Sequence, residues 1–245
     1  ISPRLYEFCI STINLNKELK VSRNILNYIM YTKLVSGNWI ISTDPEQILG
    51  INLENLPELS WRCNGGDVLE KYGLANSKYI VVNRDVDIAQ TDKHPKLWPI
   101  EYYNILLGKI KQNYPNVKIV RIGARDCMGE IAGVDIDLTG KTTLDEIKPI
   151  LKNAMFLISG EGGLVHVNHL LKGRSVVLFG PTDEEFFGYK EDVICVNREK
   201  CKIPCNYILD DWLKGCMRDE KEYQCMHNLM PEDVYEKIKD ANLLW

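Results

Sequence analysis

The sequence of 245 residues contains no long hydrophobic run, and none of its apolar stretches approaches the roughly 18 residues of a membrane-spanning helix. Positive charge is not in excess either, because 34 Asp and Glu outnumber 30 Lys and Arg and give a net charge of −4. This balance argues against a nucleic-acid binder that depends on phosphate contacts. We find no internal repeat, no low-complexity tract and no signal peptide. Because the first residue is Ile1 and not Met, we expect a fragment of a longer protein.

The cysteines lack the dense pattern of a small secreted scaffold, so we expect a reducing, cytoplasmic setting. Eight cysteines are spread over the chain, and four form a C-terminal cluster: Cys201, Cys205, Cys216 and Cys225. Their spacing includes no Cys-x-x-Cys pair. Free thiols are the favoured interpretation, while a structural zinc site or two disulfides stay open as alternatives.

Two regions are predicted. Residues 1–77 form an N-terminal region in which Ser22 and the apolar residues after it predict a capped amphipathic helix. Residues 78–245 alternate between apolar runs and helical patterns, which is typical of a doubly wound α/β domain with a parallel sheet. The predicted strands are 79–82, 117–122, 135–138, 155–158, 176–179 and 193–196; the predicted helices are 99–113, one from near Asp126, 143–151, 164–171 and 233–244.

A glycine-rich turn, Ser159 to Gly163, links one predicted strand to a helix, and Gly180 to Thr182 follow the next strand. Both turns are expected at the carboxyl edge of the sheet, where open α/β sheets bind ligands. The first N–H groups of a helix lack intrahelical partners, and glycines let a phosphate approach them. Tight turns without a ligand explain the glycines equally well.

Two further features have competing interpretations. Lys96 precedes Trp98 and Pro99 in a loop, where it either reaches an anionic ligand or, as the loop alone favours, extends into solvent. His166 and His169 are spaced as a metal-binding pair on one helix face. One histidine at a ligand and one packed is the favoured alternative.

Four motifs occur together in one order and spacing: Lys96 to Pro99, Ile136 to Leu144, Ser159 to Gly163 with His166, and Leu178 to Thr182. With the tail cysteines and Pro231 to Val234, they resemble the C-terminal lobe of the ADP-heptose:lipopolysaccharide heptosyltransferases, glycosyltransferase family 9. The resemblance covers residues 78–240.

The resemblance implies a GT-B fold, in which two Rossmann-like lobes face each other across a cleft and the C-terminal lobe binds the nucleotide-sugar donor. Residues 1–77 would then be an incomplete acceptor-side lobe. The implied donor-binding residues are Lys96 at the diphosphate, Glu130 at the ribose, Gly160, Glu161, Gly162 and Gly163 in the turn, His166 on the helix, and Gly180 and Thr182 on the opposite wall.

Two departures from the family pattern stand out. Glu161-Gly162 replaces the family's Asp followed by Ser or Thr, so a carboxylate is kept but a hydroxyl is lost. Residues 1–75 offer no clear match for the aspartate proposed as the family's general base, and we assign no catalytic base.

The implied activity is transfer of a heptose-like sugar from a nucleoside-diphosphate sugar to a lipopolysaccharide or other bacterial surface glycan. The implied enzyme needs no metal and no cofactor besides its donor substrate, and it would work in the cytoplasm or at the cytoplasmic face of the inner membrane on a glycan or lipid-linked acceptor. A GT-B-like sugar-nucleotide epimerase and a binding or scaffolding module without transfer activity are the alternatives.

Overall fold

The computed structural model of the protein describes residues 65–85, 94–124, 129–199, 204–205, 216 and 224–244. Within them, six parallel strands form one sheet of order β3-β2-β1-β4-β5-β6. The strands are β1 Tyr79–Asn83, β2 Lys118–Arg121, β3 Ile136–Asp137, β4 Leu157–Gly160, β5 Ser175–Phe179 and β6 Val193–Val196. This is the strand order of a Rossmann fold, and it confirms the predicted α/β lobe with a parallel sheet.

The helices cover both faces of the sheet, as a parallel sheet requires. They are α1 Gly65–Lys71, α2 Ile100–Asn113, α3 Leu144–Lys152, α4 Gly163–Leu170, α5 Glu184–Phe187, α6 Gln224–His227 and α7 Pro231–Asp240. In the described part of the chain, every helix is too short or too polar to cross a bilayer.

Two hydrophobic cores lie on opposite faces of the sheet. In β1, Ile80 and Val82 point into the core that α2, α6 and α7 cover, whereas Tyr79 and Val81 point into the core that α1, α3 and α4 cover. Strands with both faces buried are continuous apolar runs, and for that reason their positions could be predicted from the sequence.

The start of α3 shows why a short local pattern suffices for a helix boundary. The Thr143 side chain accepts a hydrogen bond from the Glu146 N–H, and the Glu146 carboxylate accepts one from the Thr143 N–H. This capping box satisfies two backbone donors that a helix start leaves unpaired. The predicted cap at Thr143 is confirmed.

Four element predictions need correction. No helix was predicted over residues 65–71, where α1 forms and packs on α3 through an ion pair of Lys71 with Glu146. Strand β4 begins and ends two residues late, because Ser159 and Gly160 continue the ladder and pair with β5.

The helix predicted from near Asp126 is not formed over residues 129–135, and Asp126 itself lies outside the described residues. Helix α7 begins with Pro231 in its first turn and ends at Asp240, because Asn242 adopts a left-handed conformation with φ of 51°. The elements predicted before residue 65 also lie outside the described residues, and the division at residue 77 stays a prediction.

Candidate functional site

The strand order reverses direction between β1 and β4, and open α/β sheets bind ligands in the crevice that lies outside the carboxyl ends of the strands at such a switch point. Asn83 ends β1 and Ser159 lies near the end of β4, where the Ser159 Oγ is 3.3 Å from the Asn83 Oδ1. The Asn83 amide also donates to the Ile122 carbonyl at 3.1 Å. Both side chains are buried, so they fix the floor of the crevice.

Helix α4 begins at this crevice without a side-chain cap. Its N-cap is Gly162, which has no side chain that could accept from the first N–H groups. A Cβ at Gly163 would meet no atom within 4 Å, so the helix start borders open space. N–H groups that no side chain of the N-cap pairs, the positive end of the helix dipole and two glycines together suit an anionic ligand. Gly160 is the last residue of β4 and is therefore not part of the turn, where it was predicted.

The carboxylate of the turn pairs with the lysine of the β1–α2 loop. The Lys96 Nζ lies 2.5 Å from the Glu161 Oε2, and their side chains are 20% and 7% exposed. Trp98 packs beneath the same loop, with its indole N–H donating to the Leu229 carbonyl at 2.8 Å. Lys96 is therefore held at the start of α4 and does not extend into solvent.

The opposite wall of the crevice is the turn after β5. A Cβ at Gly180 would lie 2.5 Å from the Met226 Sδ and 3.1 Å from the Pro95 carbonyl, so this glycine is required by packing. Thr182 is buried, and among the described residues its hydroxyl has no hydrogen-bond partner. A buried hydroxyl without a partner is costly, which makes Thr182 a candidate ligand contact.

Arg198 holds this wall in place and was not identified from the sequence. Its guanidinium donates to the carbonyls of Gly180 at 2.5 Å and Thr182 at 2.6 Å, and it pairs with the Glu184 carboxylate at 2.5 Å. Arg198 follows β6, so only the parallel pairing of β5 with β6 brings it to this turn. No local motif signals such a contact.

The two histidines of α4 contact one tyrosine. The His166 Nδ1 lies 2.8 Å from the Tyr189 hydroxyl. The His169 ring stacks on the Tyr189 ring, with 3.5 Å between centroids and 5° between planes. Burial lowers the pKa of His169, while Glu191 opposes the shift. The favoured interpretation, in which one histidine packs, describes His169.

Glu130 lies apart from these residues, on the exposed connection between β2 and β3. Its neighbour Gly129 accepts a hydrogen bond at 2.8 Å from Arg121, a buried residue at the end of β2. The Arg121 Nε and Nη2 have no partner among the described residues. Arg121 therefore holds the connection that carries Glu130.

Asp85 is a second charged group on that side that sequence reasoning missed. It follows β1 and accepts a hydrogen bond from the Ala124 N–H. Burial raises the pKa of Asp85, and the Ala124 N–H and the charge of Arg121 act in the opposite direction. Asp85 thus joins the ends of β1 and β2, as Asn83 joins β1 and β4.

Of the four tail cysteines, Cys225 lies in α6. Cys225 is buried and Cys205 and Cys216 are half-buried, while Cys201 lies outside the described residues. The described residues include no group of three or more His, Cys, Asp or Glu side chains placed to hold a metal ion. The state of the four cysteines stays a prediction.

Comparison with solved structures shows the same fold in three glycosyltransferase structures. ADP-heptose LPS heptosyltransferase II of E. coli matches with a TM-score of 0.54 at 16% identity, covering 73% of this chain and 51% of that one. A family 9 glycosyltransferase from Veillonella parvula matches with 0.55 at 19%, covering 75% and 51%. The iron-containing heptosyltransferase TibC of enterotoxigenic E. coli, solved in complex with ADP-D-beta-D-heptose, matches with 0.59 at 16%, covering 82% and 53%.

The chain spans about half the length of these structures. No curated protein matches it by sequence. A family model does match: the model described as glycosyltransferase family 9 (heptosyltransferase) aligns with residues 65–211, well over half of the chain. The match includes the switch-point crevice and both of its walls, and it confirms the resemblance predicted from the four motifs. The protein belongs to glycosyltransferase family 9.

Proposed function

We propose that the protein is a glycosyltransferase whose described lobe binds a nucleoside-diphosphate sugar and whose product is a glycosylated acceptor. The observation that carries this proposal is the open start of α4 at the switch point, with Lys96 held there by Glu161 at 2.5 Å. A cation beside unpaired helix N–H groups matches the charge and shape of a diphosphate.

The chemistry of the step follows from this placement. An acceptor oxygen forms a bond to the anomeric carbon while the bond from that carbon to the diphosphate oxygen breaks. The acceptor proton goes to a base, which we do not assign, and the leaving diphosphate gains negative charge. Lys96 and the α4 N–H groups would stabilise that charge as a preorganised electrostatic site, and the donor needs no metal in this scheme.

The remaining donor contacts extend from the diphosphate. His166 lies on the first turn of α4, and Thr182 offers its buried hydroxyl from the other wall. Glu130 lies on the connection between β2 and β3, and we propose that it contacts the ribose. Since TibC was solved with ADP-D-beta-D-heptose, an ADP-activated heptose is the first donor to try. A lipid-linked or other bacterial surface glycan, glycosylated at the cytoplasmic face of the inner membrane, is the proposed acceptor.

A binding module without transfer activity is the second candidate, because the Glu161 carboxylate already neutralises Lys96. Such a module would bind nucleotide and release no product with any acceptor. An epimerase would convert a nucleotide sugar with no acceptor present, and product analysis separates the three.

The test is isothermal titration of the chain with ADP, GDP, UDP and CMP. We expect one nucleotide to bind with micromolar affinity and Lys96→Met to weaken it about 10- to 100-fold, because a hydrogen bond to a charged group is lost. Lys152→Met, at an exposed position at the end of α3, is the matched control and should bind as the wild type does. Binding that is equally strong in Lys96→Met would discard the site, and no binding would count against a donor lobe.

A further inference from the structure

We propose that Tyr189 is a positioning residue for donor binding, which acts by fixing the ring of His166 so that its Nε2–H faces the crevice. This inference rests on the proposed function for its ligand, a nucleoside diphosphate. It rests on the geometry of three side chains for its mechanism.

The first step is the hydrogen bond itself. The Tyr189 hydroxyl lies 2.8 Å from the His166 Nδ1, and the two rings meet edge to face at 5.6 Å and 83°. A phenol hydroxyl both donates and accepts, and it donates more readily than it accepts. When it donates to Nδ1, the imidazole proton must reside on Nε2.

The second step is what that proton can do. His166 is on the first turn of α4, beside the N–H groups that border the crevice. An Nε2–H directed there adds one more donor for an anionic oxygen. The opposite tautomer would present a lone pair to the diphosphate and repel it. Control of the tautomer is therefore control of donor affinity.

The third step is the rigidity of Tyr189. Its ring is stacked on His169 at 3.5 Å, and its carbonyl accepts a hydrogen bond from the Asp192 N–H at 3.2 Å. The preceding Gly188 donates to the Glu184 carbonyl at 3.0 Å, where a Cβ would lie only 2.5 Å from that oxygen. Glu184 in turn pairs with Arg198. Tyr189 is thus anchored to the same wall that carries Thr182.

The experiment compares Tyr189→Phe with the wild type by ¹⁵N spectroscopy of the histidine rings and by titration with the nucleotide that the wild type binds. Tyr189→Phe keeps the stacked ring and removes only the hydroxyl. We expect His166 to show the Nε2–H pattern in the wild type and a mixture of tautomers in the variant. The nucleotide affinity should fall about three- to tenfold, the range for one hydrogen bond.

A double variant shows whether Tyr189 acts through His166. In His166→Ala, the further change Tyr189→Phe should leave the affinity unchanged, whereas two independent contacts would weaken it additively. Tyr79→Phe is the matched control, because its hydroxyl bonds the Ile150 carbonyl at the opposite end of β1. It should lose stability and keep both the wild-type ring spectrum and the wild-type affinity.

An unchanged His166 spectrum in Tyr189→Phe, or additive losses of affinity, would overturn the inference. If the wild type binds no nucleotide, the proposed function fails. In that case, loss of the Nε2–H pattern in Tyr189→Phe would still support the positioning of His166.

Discussion

Breaking the ion pair between Lys96 and Glu161 from either side should change ligand affinity in opposite directions. Lys96→Met removes the cation and Glu161→Gln removes the anion, and each keeps the size of the side chain. In the proposed complex Lys96 attracts the diphosphate and Glu161 repels it. The first variant should therefore bind nucleotide about 10- to 100-fold more weakly, and the second about three- to tenfold more tightly.

The same two variants should differ in stability because the partners are not equally buried. The Coulomb attraction of two unit charges at this separation is about 7 kcal/mol at an effective dielectric constant of about 20, before desolvation is subtracted. Lys96→Met leaves the Glu161 carboxylate, only 7% exposed, without its cation, and should cost about 2–4 kcal/mol. Glu161→Gln leaves a lysine that is 20% exposed and can turn towards water, at about 1 kcal/mol.

The double variant closes the cycle. Lys96→Met with Glu161→Gln leaves no unpaired charge, so it should be more stable than Lys96→Met alone, with a coupling of about 2 kcal/mol. Urea unfolding gives the stabilities, and titration calorimetry gives the affinities. If Glu161→Gln weakened nucleotide binding as much as Lys96→Met, the carboxylate would be a ligand contact and the electrostatic reasoning would be refuted. If the double variant were less stable than Lys96→Met, the pair would not be the buried pair described above.

Four other substitutions test the fold and the site. Burial raises the pKa of Asp192 to about 6, above the ordinary value near 4, so the native state holds this proton more tightly than the unfolded chain does. Stability therefore falls as the pH rises from about 4 to about 6. Asp192→Asn should flatten that slope and raise the melting temperature at pH 8, and an unchanged slope in thermal melts at several pH values would contradict this. Gly180→Ala should lower the free energy of unfolding by about 1–3 kcal/mol because its methyl group meets Met226. Gly163→Ala has open space around the new methyl group, so it should keep the wild-type stability and bind nucleotide more weakly. Equal stabilities of the two variants in urea would disprove the packing argument. Thr143→Ala removes the capping box of α3 and should cost about 1 kcal/mol in the same assay, with a loss near zero counting against the cap.

The fold was predictable where local pattern and tertiary role agree. Strands such as Tyr79–Asn83 and Val193–Val196 are short apolar runs because both faces of the sheet are covered, and Thr143 with Glu146 marks a helix start within four residues. Helix α1 was missed because Gly65-Gly66 reads as a turn and its seven residues are too few to show a period. It is held by packing on α3, which no local pattern records.

In the candidate site, too, local motifs could be predicted and long-range contacts could not. Lys96, the 160–163 turn and His166 could be named because they belong to motifs within single connections of the sheet. Their partner contacts could not all be named, because Asn83, Arg121 and Arg198 act across strands that are distant in sequence. Glu161 illustrates both cases: its departure from the family motif was evident, but its pairing with Lys96 depends on the β1–α2 and β4–α4 loops meeting at the switch point.

The contact between these two loops explains how the chain accommodates Glu161 in place of the family's aspartate. A longer carboxylate at position 161 reaches the Lys96 ammonium at 2.5 Å, so the charge that the diphosphate would meet is already balanced within the protein. The helix start then gains in relative importance, because its N-cap Gly162 has no side chain that could compete with a ligand for these N–H donors. Binding in this chain should therefore depend more on the α4 backbone, on His166 and on the hydroxyl of Thr182 than the lysine alone would suggest. If Lys96 dominated nucleotide binding, Gly163→Ala and Tyr189→Phe would have little further effect on the affinity once Lys96→Met is present. On this argument each of them still weakens nucleotide binding in the Lys96→Met background, and titration of the two double variants decides between the two kinds of site.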